Sequence, residues 1–473
     1  MNVKSDTDDT AQESQGRFLT GSTMGHVVRM TATGAFGITF VFLVDALNLF
    51  WLSWIGDPQL VAAIGFAYAI QFFSVSSGIG LMIAGTALIS RAIGRGARAE
   101  ARSRAGAAIV ISVGVQCATA LLVFIFRHDL IALAGATGET ARLAARYLAI
   151  TIFSLIPMAV ALVQSGTLRA DGFGAKAMYV TLLAGLMLMI IDPILIIWMG
   201  LGLDGAAYSL VIFRFFLMGF SFYFAVYQTR LIDRPSPASI KAAFVPFMLI
   251  AIPTISTQMA TPAGNYLLTI VMSQFGDDAV GAWAVVSRLT VLVFGGVFAL
   301  SGAIGGIFGQ NYGAGQFDRL RSTYLNAITF CLIYSVVAWV LLATASPYIA
   351  KAFALSDQGA EVLSAFTTFG VGGFVFVGML FVSNAAFNNL GKPGRSTLVN
   401  WTKDGVLSWP AAIWLATIFG APGVIYGQAL AGLIAGTAAV FWGWTYIRRI
   451  GEDGVLDVAD PRPYPNSDRY RIR

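Results

Sequence analysis

Long runs of apolar residues, separated by short polar segments, dominate the pattern along the chain. We find twelve such runs, each of roughly the 20 residues that a helix needs to cross a hydrocarbon layer about 30 Å thick. They lie at residues 30–54, 60–90, 104–126, 143–167, 177–200, 205–227, 243–273, 279–310, 323–346, 362–388, 396–418 and 421–446. The runs do not alternate between apolar and polar residues, so they predict helices rather than the strands of an outer-membrane barrel.

Composition agrees with this pattern. Hydrophobic residues make up 57% of the chain and charged residues only 11%, which excludes a water-soluble globule and indicates a multi-pass membrane protein. The net charge of +6 reflects topology and contact with the lipid bilayer, and we expect no nucleic acid partner.

Lysine and arginine residues are distributed unequally between the two sets of alternate loops. One set holds 14 of them, the other holds four, and the two termini add nine on the side of the larger set. Basic residues stay on the cytoplasmic side, so we expect a plasma (inner) membrane protein with both termini in the cytoplasm. The first 20 residues show no apolar core of a removable signal peptide.

Three pairs of short motifs repeat in order along the chain. IGDPQLVAAIG (55–65) matches FGDDAVGAWAV (275–285), IGRGARAEARS (93–103) matches YGAGQFDRLRS (312–322), and Gly172 matches Gly391, at offsets of 219 or 220 residues. Two six-helix halves of the same orientation explain this spacing, as in transporters that rock two bundles around a central site. The predicted domains are a cytoplasmic polar tail (1–29), an N-lobe (30–229), an inter-lobe cytoplasmic loop (230–242), a C-lobe (243–446) and a cytoplasmic tail (447–473).

The same segments resemble the multidrug and toxic compound extrusion (MATE) family of the MOP flippase superfamily. The resemblance is carried by LVDALNLFWLSWIGDPQLVAAIGFAYAI (43–70), IIDPILIIWMGLGLDGAAYSLVI (190–212) and above all GQNYGAGQFDRLR (309–321). It implies an all-α membrane protein of twelve transmembrane helices, in two pseudo-symmetric six-helix lobes around a V-shaped central cavity. It also implies a monomer that exports amphipathic, often cationic compounds in exchange for H⁺ or Na⁺ by alternating access.

Asp45 and Asp192 are isolated carboxyl groups within the first and fifth apolar runs. An acid in the membrane interior usually faces protein or a watery cavity and marks an ion or proton path. Burial disfavours the ionised form of a carboxyl group, so such an acid can exchange H⁺ or hold Na⁺ during turnover. Asn48 stands where related exporters carry their first-lobe acid, one turn after Asp45 and on the same helix face. The alternative is that these acids only pin helices together.

Several other polar and aromatic residues within the runs are candidates for the transport path. The predicted substrate cavity contains Tyr68, Phe72, Gln258, Thr261, Asn265, Lys403 and Asp404. Arg214 and Arg288 are the predicted buried charge partners of the acids. A purely structural role in helix packing remains open for each of them.

We expect no cofactor other than the coupling ion H⁺ or Na⁺. Cys117 and Cys331 each lie within an apolar run and predict small core residues, not a metal site or a disulfide. No motif of a nucleotide-binding or hydrolytic enzyme is present in the sequence. Two rival functions remain: a flippase for a lipid-linked precursor, which would need a cavity rich in arginine and lysine, and a membrane-embedded enzyme.

Overall fold

The computed structural model describes residues 16–353 and 355–451, which are helical apart from short connections and contain no strand. Twelve long helices cross the bundle. They are α1 (Thr23–Ser53), α2 (Pro58–Gly94), α3 (Arg98–Ile125), α4 (Gly138–Ala170), α5 (Gly174–Trp198), α6 (Gly202–Gln228), α7 (Pro237–Ser273), α8 (Asp277–Gly313), α9 (Phe317–Ala352), α10 (Asp357–Asn389), α11 (residues 393–419) and α12 (Ala421–Arg449). A short helix, Arg127–Leu133, joins α3 to α4.

Several of these helices change their winding within the bundle. Wider π-helical turns occur at Ile194–Trp198 in α5, Tyr223–Gln228 in α6, Phe366–Gly370 in α10 and Thr402–Leu407 in α11. Eleven helices in the described part of the chain are long and apolar enough to cross a membrane. The twelfth predicted span is α11, which carries Lys403 and Asp404 in its π-helical turn.

The two halves of the chain form two lobes with the same internal packing. In the first lobe α1 packs on α5, α2 on α4, α4 on α6 and α5 on α6; in the second lobe α7 packs on α11, α8 on α10, α10 on α12 and α11 on α12. Between the lobes, α1 packs against α8 and α2 against α7. In the repeat, α1 is equivalent to α7 and α2 is equivalent to α8. The contact between α1 and α8 therefore corresponds to the contact between α7 and α2, as a pseudo-two-fold axis along the bundle requires.

The lobes approach most closely at the end of the bundle that carries both described chain ends, which we call the terminal end. A Cβ atom on Gly94 would overlap the backbone carbonyl of Gln310, and one on Gly309 would overlap the side chain of Ser90. Further along, Gly80 still lies against the backbone of Ile255, near the middle of α2. The lobes therefore meet from the middle of the bundle to the terminal end, and the V-shaped cleft opens at the opposite end, which we call the far end.

The segment before α1 corrects the predicted polar tail of residues 1–29. Residues 1–15 lie outside the described residues, but α1 already begins at Thr23, where the Ser22 side chain accepts a hydrogen bond from the backbone of Gly25. Phe18 is only 2% exposed, and its backbone N–H donates to Gln310 Oε1 at 2.9 Å. Burial of this phenylalanine between the lobes anchors residues 16–22 to the fold, although Arg17 and residues 20–22 remain exposed.

The connection between the lobes is shorter than the predicted loop of residues 230–242. The π-helical end of α6 runs to Gln228 and α7 begins at Pro237. Ser236 and Ser239 form a reciprocal capping pair at the start of α7, and Pro237 occupies its first turn, a combination that favours helix initiation. The cap extends α7 six residues before the predicted apolar run at 243.

Candidate functional site

Asp45 lies on the part of α1 beyond the tight contacts with the second lobe, and its side chain is exposed. Its charge acts on Arg214 of α6 and on Asp192 of α5, and also on Tyr68 of α2. The carboxyl group therefore faces the space among the helices of the first lobe, and its exposure is to that space. Within the described residues it accepts no hydrogen bond and forms no ion pair at contact distance, so it is accessible to a proton or cation.

Asp192 is the buried neighbour of this acid, with no exposed surface. The Asn48 side-chain amide donates to Asp192 Oδ1 at 2.9 Å. The Ser209 hydroxyl also lies beside the carboxyl group, but its single proton is directed to the Gly205 carbonyl at 2.9 Å. Asp192 Oδ2 has no hydrogen-bond partner among the described residues. The sequence analysis assigned Asn48 and Asp192 to one site without predicting this direct contact, which the structure shows.

Proline and a π-helical turn follow Asp192 directly. Pro193 has no backbone N–H and therefore cannot continue the ladder of an α-helix, and the wider turn Ile194–Trp198 begins at the next residue.

Arg214 is the positive group of the site and is 4% exposed. Its guanidinium donates to Ser154 Oγ at 2.8 Å, to the Thr151 carbonyl at 3.4 Å and to Gln71 Oε1 at 3.2 Å. The Gln71 amide in turn donates to the Thr151 hydroxyl. All these acceptors are neutral, so they fix the guanidinium in position without cancelling its charge.

Around Asp45 the described residues thus place two carboxyl groups and one guanidinium. When both acids are ionised, this region carries one negative charge that the protein does not balance. Asp192 and Arg214 are buried, where an unbalanced charge is costly, so binding of one proton or one monovalent cation at the accessible Asp45 stabilises the region. The oxygen donors of Asp45, Asp192 and Asn48 suit H⁺ or a hard cation such as Na⁺.

Two aromatic residues of α2 line the same space. Tyr68 is 48% and Phe72 is 42% exposed, and their rings stack with centroids 6.0 Å apart. The Asp45 charge also reaches Tyr147 of α4, which is largely buried. An apolar wall beside an acid is the arrangement that receives an organic cation.

Lys403 and Asp404 form an ion pair within α11. Adjacent helical residues usually diverge, and the π-helical turn that contains them changes this geometry. Lys403 is 6% and Asp404 is 4% exposed, so the structure places the pair inside the second lobe and not on the surface of an open cavity. Thr261 donates to Asp404 Oδ2 at 3.2 Å.

Gly264 explains why Asp404 fits there. It lies 219 residues after Asp45, at the equivalent position of the repeat. A Cβ on Gly264 would lie 2.7 Å from the Cβ of Asp404. Gly264 on α7 thus corresponds to Asp45 on α1, and it leaves room for the side chain of Asp404 from α11. The second lobe therefore has an acid near the equivalent position, but that acid is on another helix and is paired with Lys403.

The other residues of α7 that were predicted to face the cavity differ in their surroundings. Gln258 is half-buried and Asn265 is exposed. The Pro253 carbonyl accepts hydrogen bonds from Thr257 at 2.9 Å and from Thr397 at 2.8 Å. The prolines of α7 thus give hydroxyl groups a structural role, as the packing alternative predicts.

The prediction of Arg288 as a buried charge partner is wrong, because its side chain is exposed. Along α8 the buried residues Ala282, Val285 and Val286 define the packed face. Arg288 lies on the other face, with the exposed positions Ala284 and Leu292. No acid forms an ion pair with it within the described residues.

Sequence reasoning missed the polar residues that hold Arg214. Gln71, Thr151 and Ser154 are each at most 4% exposed, and each bonds to Arg214 or to another member of the group. The available signal was Arg214 itself, because a buried guanidinium needs several acceptors. No group of three or more His, Cys, Asp or Glu residues suited to a metal ion occurs in the part of the chain that the structure describes.

Comparison with known sequences places the chain among transporters. The model of the MatE family matches residues 35–194 and 253–414. A FAD transporter of Shewanella oneidensis is 23% identical over 430 residues, which cover 89% of this chain and 95% of that protein. The multidrug export protein MepA of Staphylococcus aureus is 21% identical over 421 residues, which cover 85% of this chain and 90% of MepA.

Solved structures share the fold. A crystal structure of MATE in complex with MaL6 matches with a TM-score of 0.85 at 20% identity, over 92% of this chain and 99% of that one. A mutant of the Vibrio cholerae MATE transporter VcmN matches with a TM-score of 0.84 at 23% identity, over 90% of this chain and 97% of that one. The family match falls on both lobes and covers more than half of the chain. The chain therefore belongs to the multidrug and toxic compound extrusion family, whose members are membrane transporters and not enzymes.

Proposed function

We propose that this transporter is a secondary active antiporter that exports amphipathic, often cationic compounds in exchange for H⁺, with Na⁺ as the alternative coupling ion. The observation that carries the proposal is the charge balance around Asp45, whose carboxyl group lies within electrostatic reach of one fixed guanidinium, Arg214, and of a second acid, Asp192. One ionised acid is balanced by the arginine. The other needs a proton, a metal cation or a cationic substrate, so these compete for one position.

Because H⁺ and the cationic substrate compete for one position, inward movement of H⁺ is coupled to export of the substrate. The H⁺ gradient then supplies the energy for export. When H⁺ enters, it neutralises the acid and displaces the cationic substrate. The membrane potential adds about 2.3 kcal/mol per charge per 100 mV to an ion that moves inward. Asp45 is the exchanging acid in this proposal, and Asp192 and Asn48 support it through their hydrogen bond.

Alternating access requires that the closed seam at the terminal end opens in another state. We place both termini in the cytoplasm of a cell with an inner membrane, on the basis of the lysine and arginine distribution. The cleft at the far end then faces outward, and the structure corresponds to the outward-open state. The transporter would work as a monomer, since each chain has both lobes.

The proposed substrate class follows from the acids and from the exposed rings of Tyr68 and Phe72. Relatives differ in cargo, because one is named a FAD transporter and another a multidrug export protein. The flippase alternative is not favoured: the relatives are named a FAD transporter and a multidrug export protein, and Arg214 and Lys403 are each matched by acids nearby.

Transport in everted membrane vesicles tests the proposal. Ethidium uptake would be measured under an imposed ΔpH and then under a Na⁺ gradient, with FAD as an anionic comparison substrate. Asp45→Asn should abolish ion-driven ethidium transport, whereas Asp129→Asn, an exposed acid of the connection between α3 and α4, should retain it. Undiminished coupled transport in Asp45→Asn would refute the role of Asp45, and transport of FAD but not ethidium would refute the substrate class.

A further inference from the structure

A second concave site lies at the far end of the second lobe, away from the acids of the first lobe. It is a cavity of about 410 Å³ between the first turns of α10 and the turn that joins α11 to α12. Its walls include Glu361, Ser364, Thr368, Phe369, Phe419 and Tyr426. None of these residues takes part in the proposed coupling site.

Three aromatic rings line this cavity and contact one another through Tyr426, and we call them the aromatic box. The Tyr426 ring contacts Phe369 with centroids 5.5 Å apart and an angle of 87° between the planes. It contacts Phe419 at 5.3 Å and 89°. Tyr426 therefore packs edge to face against both phenylalanine rings.

Local backbone features produce this arrangement. The π-helical turn Phe366–Gly370 interrupts α10 next to the cavity, and Phe369 is 59% exposed. Gly420 has φ +66°, a conformation that favours glycine, and its turn leads directly from Phe419 into α12. The Trp339 indole N–H donates to the Thr368 carbonyl at 2.9 Å and holds the turn of α10 in place.

Polar groups of α10 line the same cavity. Glu361, Ser364 and Thr368 follow one another at the three- and four-residue spacing that places side chains on one helix face. Glu361 is exposed, and no lysine or arginine forms an ion pair with it within the described residues. The cavity is thus lined by one carboxylate without an ion-pair partner among the described residues and by three aromatic rings.

We propose that this cavity binds an organic ammonium group, of the kind found in choline, in amine-bearing lipid headgroups and in amphipathic cations. A cation above aromatic faces gains roughly 0.5–2 kcal/mol, and aromatic boxes are the usual recognition element for quaternary ammonium groups. The carboxylate supplies the opposite charge at the mouth of the box. The proposal does not depend on the coupling role of Asp45, since the two sites share no residue.

Saturation-transfer difference NMR with choline tests this site on the full chain in a maltoside detergent. Choline methyl signals should appear with the unaltered protein and weaken with Glu361→Gln and with Tyr426→Leu, with affinity reduced roughly three- to thirtyfold. Tyr426→Phe should keep the signals, because it keeps the ring. Glu139→Gln, which alters a far-end carboxylate already paired with Arg142, should also keep them.

The same signals in nanodiscs separate the two sources of the ammonium group. If a lipid headgroup occupies the box, nanodiscs of phosphatidylethanolamine should suppress choline binding and those of phosphatidylglycerol should not. If a free amphipathic cation is the ligand, tetraphenylphosphonium should displace choline equally in both. Equal choline signals for Glu361→Gln, Tyr426→Leu and the unaltered protein would overturn the proposal, and so would loss of the signal in Tyr426→Phe.

Discussion

Replacing Gly309 with alanine should open the seam between the lobes at the terminal end. Gly309 on α8 faces Ser90 on α2, and an added Cβ would overlap the Ser90 hydroxyl and lie 2.7 Å from its Cβ atom. The next nearest atom, the backbone nitrogen of Arg91, would be 3.4 Å away, an ordinary contact. The substitution therefore strains the closed seam through one side chain only.

The size of the effect follows from the cost of overpacking. An extra methyl group in a well-packed contact typically costs about 1–3 kcal/mol. This cost applies only while the seam is closed. It therefore lowers the ratio of molecules with a closed seam to molecules with an open seam by roughly five- to 150-fold. Ser90→Gly removes both atoms that the new methyl group meets, so the double variant should return to the original ratio.

Electron–electron double resonance between two spin labels measures this ratio. The labels would be attached at Ala99 in the first lobe and Asp318 in the second, both exposed near the terminal end, in a background with Cys117→Ala and Cys331→Ala. Gly309→Ala should move population to longer distances. An unchanged distance distribution, or a double variant with Ser90→Gly that stays as open as the single one, would refute the role assigned to this contact.

Two further substitutions probe the polar groups of each lobe. Asn48→Ala removes the donor to Asp192, a hydrogen bond to a charged group that contributes about 1.5–3 kcal/mol, so ΔpH-driven ethidium transport in everted vesicles should fall; an unchanged rate would contradict this assignment. Asp404→Asn leaves the buried ammonium of Lys403 without its partner, which should destabilise the second lobe by about 3–5 kcal/mol and lower the thermal unfolding midpoint in detergent. The double variant Lys403→Met, Asp404→Leu should lower the unfolding midpoint less than Asp404→Asn does. Equal midpoints for the double variant and Asp404→Asn would argue against a buried pair.

The helices and the acids were predictable because their signals are local. An apolar run long enough to cross a bilayer has no alternative to a helix, since lipid cannot satisfy backbone hydrogen bonds. A carboxyl group in such a run needs a protein or water-filled surrounding, and Asp192 has one. Asn48 joined the site because it lies one turn from Asp45 on the same helix.

The rest of the site depends on contacts between helices, which the sequence does not specify by itself. Gln71, Thr151 and Ser154 are ordinary polar residues within their runs until Arg214 is brought beside them. The exposure of Arg288 depends on which face of α8 packs against its neighbours. Composition alone cannot select that face when both sides of the helix are apolar enough for lipid.

π-helical turns limited the prediction in another way. The turn Thr402–Leu407 contains Gly405 and precedes Pro410, but neither residue indicates that Lys403 and Asp404 pair within it. The burial of Phe18 could not be predicted from the sequence either, because one aromatic residue in a polar segment gives no periodic hydrophobic pattern. Its contacts with Gln310 become visible only when both lobes are in place.

Proton release upon substrate binding tests most directly whether Asp45 exchanges a proton for a cationic substrate. Purified protein in lightly buffered detergent solution at mildly acidic pH would be mixed with tetraphenylphosphonium, and released H⁺ would be followed with a pH indicator while binding is measured separately. The account predicts release from the unaltered protein and from Asp129→Asn, and none from Asp45→Asn. Undiminished release from Asp45→Asn, or substrate binding to the unaltered protein without any release, would contradict it.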